Sequence, residues 1–334
     1  MITRHWQRRR GMPREMVHWM VAERAAELLA SSPYGPALNQ CPNGLRYGAV
    51  FPDVLFYLRG DYPEALLELP QRLHGAHGED TYDLLRLYAP HMYSMRSMAL
   101  PTAFFVGLVA HIFADATIHP LVYHFTGNYY DVDPVRRTTA IRRHRILEAL
   151  FDMVAAGGQD KVAQSSFKAV VAGVEGPLSL ACPPEILGTL AGVDAATAIK
   201  GFRDALDSYG TMQALCRMPT LAKWVREFEG WLPDKGREIA ALFYAPQLWD
   251  LRASVNGALT FRNPFTGEVF TQSLAGLMEL AARQTAWFCT TQAPGLIARG
   301  GLAETAPGPS LDMGIASVDT SQAKYFASRT LPPE

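Results

Sequence analysis

An all-α fold is the reading that the 334-residue sequence supports best, and two features carry it, while a third places any chemistry in the first half of the chain. Apolar residues recur at three- and four-residue spacing along most of the chain, strand-like alternation is scarce, and every histidine lies between His5 and His144. The apolar fraction of 49%, with a mean hydropathy near zero, suffices for a sizeable core in one large domain or two modest ones. A net charge of −1 gives no global field toward polyanions, so no stable nucleic-acid complex is expected.

In chain order, helical periodicity marks residues 14–30, 61–69, 78–88, 101–118 and 135–155, then roughly 183–192, 195–214, 220–230, 234–245 and 272–291. The segment 31–50, rich in Pro, Gly and Asn, reads as a loop, as does 124–134 around Gly127, Tyr129 and Tyr130. Pro120 is expected to end or kink the fourth helix, because a residue before proline disfavours the α region. Gly157 and Gly158 stop the fifth. One small β-hairpin is allowed at 258–271, with Pro264 and Gly267 in its turn. The most apolar run, Ala103 to Ala110, stops at His111 and Asp115, short of the ~20 residues that a spanning helix needs, so no transmembrane segment is expected.

These signals divide the chain into a histidine-bearing helical bundle at 12–155, a helical carboxy-terminal region at 156–301 packed on it as one unit, and an extended or disordered tail at 302–334. The basic head Arg8–Arg10 reads as a solvated terminus. Cys41, Cys182, Cys216 and Cys289 are far apart with no CxxC pair, which suits a reducing compartment. His18, Glu23 and Arg24 interrupt any secretory apolar core, so a cytoplasmic location is expected.

Chemistry concentrates in HIFADATIHP. At ~100° per residue, His111, Asp115 and His119 share one helical face, which suits a metal better than a core. A carboxylate buried beside two imidazoles without a cation would cost several kcal/mol. His144 and Glu148 repeat the i, i+4 arrangement on another helix. Asp53 interrupts the apolar run GAVFPDVLFY and needs a partner if buried, His18 lies on the first helix, and His74 and His77 flank Gly75 in LHGAHGEDT.

The order of these residues, carried by HWMVAERAAELL (18–29), GAVFPD (48–53), HGAHGEDT (74–81), FFVGLVAHIFADATIHP (104–120) and RHRILEALFD (143–152), resembles the zinc-dependent phospholipase C family. That family includes secreted bacterial phospholipase C and the amino-terminal domain of glycosylphosphatidylinositol-specific phospholipase D, and its fold is related to that of single-strand-specific zinc nucleases. The resemblance covers residues ~12 to ~155. It implies an all-α phospholipase C/nuclease-like bundle holding two or three Zn²⁺ ions. His18, Asp53, His74 or His77, His111, Asp115, His119, His144 and Glu148 would then be ligands, Asp115 bridging two ions and Asp53 also positioning or deprotonating the attacking water. His74 is slightly preferred over His77.

Two departures stand out. The secreted enzymes bind one zinc through their terminal amine, and here seventeen residues precede His18. The HxxxDxxxH spacing is also shorter than in the bacterial enzymes and closer to the glycosylphosphatidylinositol-specific branch. The implied activity is hydrolysis of a phosphate ester, with a phospholipid among the candidate substrates. Two alternatives stay open: a nuclease or nucleotidase with Tyr123, Tyr129 and Tyr130 as a base clamp, and a non-catalytic protein stabilised by zinc. Arg142, Arg143 and Arg145 read as a solvated face rather than a phosphate grip.

Overall fold

The computed structural model describes residues 15–292 and 306–332. The basic head Arg8–Arg10 and the start of the proposed tail lie outside the described residues. Sixteen α-helices occur among those described: α1 (Glu15–Leu28), α2 (Gly35–Gln40), α3 (Pro42–Gly48), α4 (Phe51–Val54), α5 (Glu64–Leu73), α6 (Asp83–Ser94), α7 (Ala99–Thr126), α8 (Pro134–Ala156), α9 (Gln159–Gln164), α10 (Phe167–Ala172), α11 (Leu178–Ala181), α12 (Pro184–Ala191), α13 (Ala195–Cys216), α14 (Pro219–Glu227), α15 (Asp234–Ala240) and α16 (Leu274–Trp287). The only sheet among the described residues is the antiparallel pair β1 (Ala258–Arg262) and β2 (Val269–Ser273), with Ala258 opposite Ser273. Its turn contains Pro264 and Gly267, the latter at φ 77°. The all-α class and the single hairpin are both present.

Helix α7 is the axis of the molecule. It is apolar around its circumference, as a helix enclosed on all sides must be, and packs against α1, α3, α6, α8 and α16. It runs 28 residues, well beyond the apolar run read from the sequence. Length and composition alone would let it cross a membrane, yet 83% of its most apolar window is buried by its neighbours. It is a core helix.

Pro120 does not end this helix; α7 continues to Thr126. Proline deprives Ala116 of its usual i+4 donor, and Gly314 (φ 69°) packs its backbone over that carbonyl so closely that a Cβ would come within 2.4 Å of the oxygen. The segment 31–50 also departs from expectation, since it holds α2 and α3 instead of a loop. Both helices carry Pro in their first turn, where the missing N–H costs nothing.

The crossing of α3 and α7 is set by two glycines. A Cβ on Gly48 would lie 2.2 Å from the Phe104 carbonyl oxygen, and one on Gly107 would lie 2.2 Å from that of Leu45. Backbone therefore meets backbone, as only Gly allows. A second fixture holds the start of α1. The buried Asp152 carboxylate of α8 accepts from the backbone N–H groups of Val17 (2.9 Å) and Met16 (3.3 Å) and from the Tyr244 hydroxyl (2.6 Å). A carboxylate at a helix N-terminus satisfies orphan donors and complements the dipole. Beside it, Arg217 pairs with the buried Glu15.

One hydrophobic cluster takes residues from Val17 to Leu331, so the helices after α8 share the core of those before it. Residues 306–332 form turns and isolated bridges packed onto the bundle, with Leu311 and Met313 fully buried. The expectation of an extended or disordered tail missed this packing. The four cysteines are buried and form no disulfide among the described residues.

Candidate metal centre

Four helical elements and one helix end deliver the ligand-type side chains. His18 follows the Asp152-capped turn of α1, Asp53 sits in α4, and His74 caps the C-terminus of α5. His111, Asp115 and His119 occupy successive turns of one face of α7, and His144 and Glu148 do the same on α8.

Asp115 is at the centre. Its carboxylate oxygens lie 3.3 Å from Nε2 of His18, 3.4 Å from that of His111, 3.5 Å from that of His119 and 3.7 Å from that of His74. Asp53 approaches His74 Nε2 at 3.3 Å and His18 Nε2 at 3.9 Å. Glu148 Oε1 lies 3.1 Å from Nε2 of both His119 and His144. Three triads have ligand atoms within 4.8 Å of one another: His18, Asp53 and His111; His74, His111 and Asp115; and His119, His144 and Glu148.

The outward ring nitrogens show how these rings are oriented. Nδ1 of His111 lies 2.9 Å from the Ala49 carbonyl, that of His74 2.7 Å from Pro70 and that of His119 3.1 Å from Leu311. A carbonyl can only accept, so each ring carries a proton on Nδ1 and turns Nε2 inward, toward the carboxylates. The Gly48–Gly107 crossing is what brings the Ala49 carbonyl to His111, since Ala49 follows Gly48 at the point of closest approach.

His77 does not join the cluster. Its side chain is 57% exposed and its Nδ1 faces Asp319 at 3.7 Å. His74 is the loop histidine the structure brings to the site; His91 and His124 bond backbone carbonyls elsewhere. The arginines around His144 are not a solvated face. Arg142 donates to Glu229, and the buried Arg145 donates to the Glu238 carbonyl.

The cleft over the cluster has an empty volume of about 540 Å³ and is walled by Phe56, Tyr123, Tyr129 and Tyr130. Tyr123 and Tyr130 stack at 6.5 Å with planes 12° apart, and Tyr123 and Tyr129 both pack edge-on against His144. Asp312 completes the lining, a residue that sequence reasoning missed. It lies in a segment without helical period, 164 positions beyond Glu148 (312 less 148), and nothing local marks it.

The electrostatics describe a site under strain from its own charges. Burial, only partly opposed by His119, pushes the Asp115 carboxyl up to about 7. Burial and then repulsion from His119 push His18 down to about 3, and burial drives His111 well below the usual imidazole range. His119 is pushed up to about 10, Asp115 and Glu148 outweighing its burial. Glu148 is held below the usual carboxylate range because His144 and His119 overcome its burial.

Four carboxylates (Asp53, Asp115, Glu148 and Asp312) line this cleft, and among the described residues no Lys or Arg does. Facing the cluster, Nε2 of His111 and Oε2 of Glu148 are buried without a hydrogen-bond partner among the described residues. A buried polar atom left so is costly, and bound cations would relieve both. Imidazole and carboxylate donors suit zinc in both kind and number.

Residues 17–172 match the family described as zinc-dependent phospholipase C, a span that takes in all eight clustered residues from His18 to Glu148. No curated protein and no solved structure matches the chain.

Proposed function

We propose that this protein, whose residues 17–172 belong to the zinc-dependent phospholipase C family, is a zinc-dependent hydrolase of phosphate esters that acts on a phosphodiester at the α7–α8 cleft. The observation that carries this reading is the set of three buried ligand triads, two of them sharing His111, with unpartnered polar atoms among them. His18, Asp53, His74, His111, Asp115, His119, His144 and Glu148 would hold the ions. His111 has only Nε2 to give, because Nδ1 is committed to Ala49, so it serves one ion. The triad of His119, His144 and Glu148 is separate from it, which supports at least two ions.

When bound, clustered zinc supplies Lewis acidity toward the phosphoryl oxygens and makes water a nucleophile near neutral pH. The chain does the rest. Asp53, at the cleft wall beside His74 and His18, orients the attacking water and takes its proton. The aromatic wall of Phe56, Tyr123 and Tyr129 limits water access to the reacting group. An anionic ester would otherwise meet four carboxylates and, among the described residues, no Lys or Arg, so bound cations favour substrate binding.

The stacked Tyr123 and Tyr130 favour one second reading, a nuclease-like enzyme in which a base packs on that wall. One experiment addresses both. Purified protein is assayed for zinc and for hydrolysis of a generic phosphodiester, a phosphatidylcholine analogue and single-stranded DNA, before and after chelation. Zinc content with chelator-sensitive turnover is expected. Full activity in metal-free protein would overturn the proposal, and preference for single-stranded DNA would select the second reading.

A further inference from the structure

The family match stops at residue 172, yet the cluster is closed by a segment more than a hundred residues later. Residues 310–314 thread between two of the ligand-bearing elements. The Leu311 backbone N–H donates to the His74 carbonyl at 2.9 Å, and its own carbonyl faces His119 Nδ1 at 3.1 Å. One residue rung therefore ties the end of α5 to the middle of α7.

Asp312 adds a charge behind the same ring. Its side chain is 9% exposed, with Oδ1 lying 3.8 Å from His119 Nδ1 and Oδ2 accepting from the Tyr130 hydroxyl at 2.5 Å. His119 Nε2 points the other way, to Glu148 and Asp115. The placement is fixed by its neighbours: Leu311 and Met313 are fully buried, and Gly314 is pressed on the Ala116 carbonyl one turn before His119.

We infer that Asp312 is a positioning residue of the metal centre, acting through His119. A carboxylate behind the nitrogen opposite the ligating one favours the Nδ1–H tautomer, fixes the ring plane and raises the basicity of Nε2. The Leu311 carbonyl supplies the direct acceptor, and Asp312 supplies the negative charge that a carbonyl lacks. Residues 306–332 thereby become a working part of a centre whose ligands all come from the first half of the chain.

This inference rests on the zinc reading, and the test separates the two. Full-length wild type, Asp312→Asn and Asp312→Glu are loaded with zinc, and metal release to a chromogenic chelator is timed. Urea unfolding of the metal-free proteins is measured beside it. Asp312→Asn keeps the shape and removes the charge, and roughly tenfold or greater acceleration of zinc release is expected, with the metal-free unfolding midpoint little changed. Asp312→Glu retains the charge and is expected to release zinc at an intermediate rate. Equal release from wild type and both variants would overturn the inference while leaving the zinc reading intact. A parallel loss of zinc retention and metal-free stability in both variants would show a structural role and overturn it too. A wild-type protein that takes up no zinc would defeat the underlying reading itself.

Discussion

Replacing Gly107 with Ala sets two calculable effects against each other. Alanine is the better helix former, and in the interior of α7 the exchange favours folding by about 1 kcal/mol. The new Cβ, however, would lie 2.2 Å from the Leu45 carbonyl oxygen, 2.7 Å from the Ala49 nitrogen and 2.8 Å from the Gly48 Cα. All three obstacles are backbone, so no side chain can swing aside, and α3 must retreat by about 1 Å to restore van der Waals contact. Overpacking of this kind costs about 1–3 kcal/mol, and here the upper end applies. The retreat also carries the Ala49 carbonyl away from His111 Nδ1, now 2.9 Å distant, and with it a buried hydrogen bond. Net destabilisation of about 2 kcal/mol is expected, together with a loss in zinc affinity of about tenfold to a hundredfold. Urea unfolding of the metal-free protein reads the first, and competition with a chelator of known affinity reads the second. A variant as stable as wild type, with unchanged zinc affinity, would refute the claim that this crossing positions His111.

Other perturbations probe other links. Asp152→Ala leaves the N–H groups of Met16 and Val17 and the Tyr244 hydroxyl to find new acceptors, and should destabilise the protein by about 3 kcal/mol in urea unfolding. His74→Ala should lower zinc stoichiometry or affinity sharply, whereas His77→Ala should leave both unchanged by metal analysis, because the His77 side chain faces Asp319 and solvent. Asp53→Asn should abolish turnover while retaining the fold, as judged by circular dichroism. Zinc uptake should weaken as pH falls through about 7, because in the metal-free protein Asp115 titrates near 7 and His119 near 10, and both must give up protons to bind metal. Titration calorimetry in buffers of different ionisation enthalpy would count those protons. A pH-independent affinity would contradict the prediction.

Much of the centre was legible because its ligands obey helical spacing. His111, Asp115 and His119 fall on one face whatever the rest of the chain does, and so do His144 and Glu148. The choice between His74 and His77 was not legible. His74 is the residue on which α5 ends and His77 lies three positions beyond it, and helix ends are the least determined part of any periodic pattern. Pro36 and Pro42 misled in the other direction, since proline in a first turn begins a short helix as readily as it marks a loop. Pro120 would weaken an isolated helix, yet α7 runs through it to Thr126, enclosed by neighbours that no local pattern reveals. Asp312 and the acceptors Ala49, Pro70 and Leu311 were invisible for one common reason. Their roles depend on tertiary juxtaposition and on backbone atoms, which residue identity does not encode.

The most direct test of the zinc centre is X-ray diffraction from crystals of the purified protein at energies above and below the zinc absorption edge. Anomalous peaks are expected inside the cluster, one among His18, Asp53, His74, His111 and Asp115 and another among His119, His144 and Glu148. Protein free of zinc at these positions, or with zinc only at surface histidines such as His77, would contradict the account.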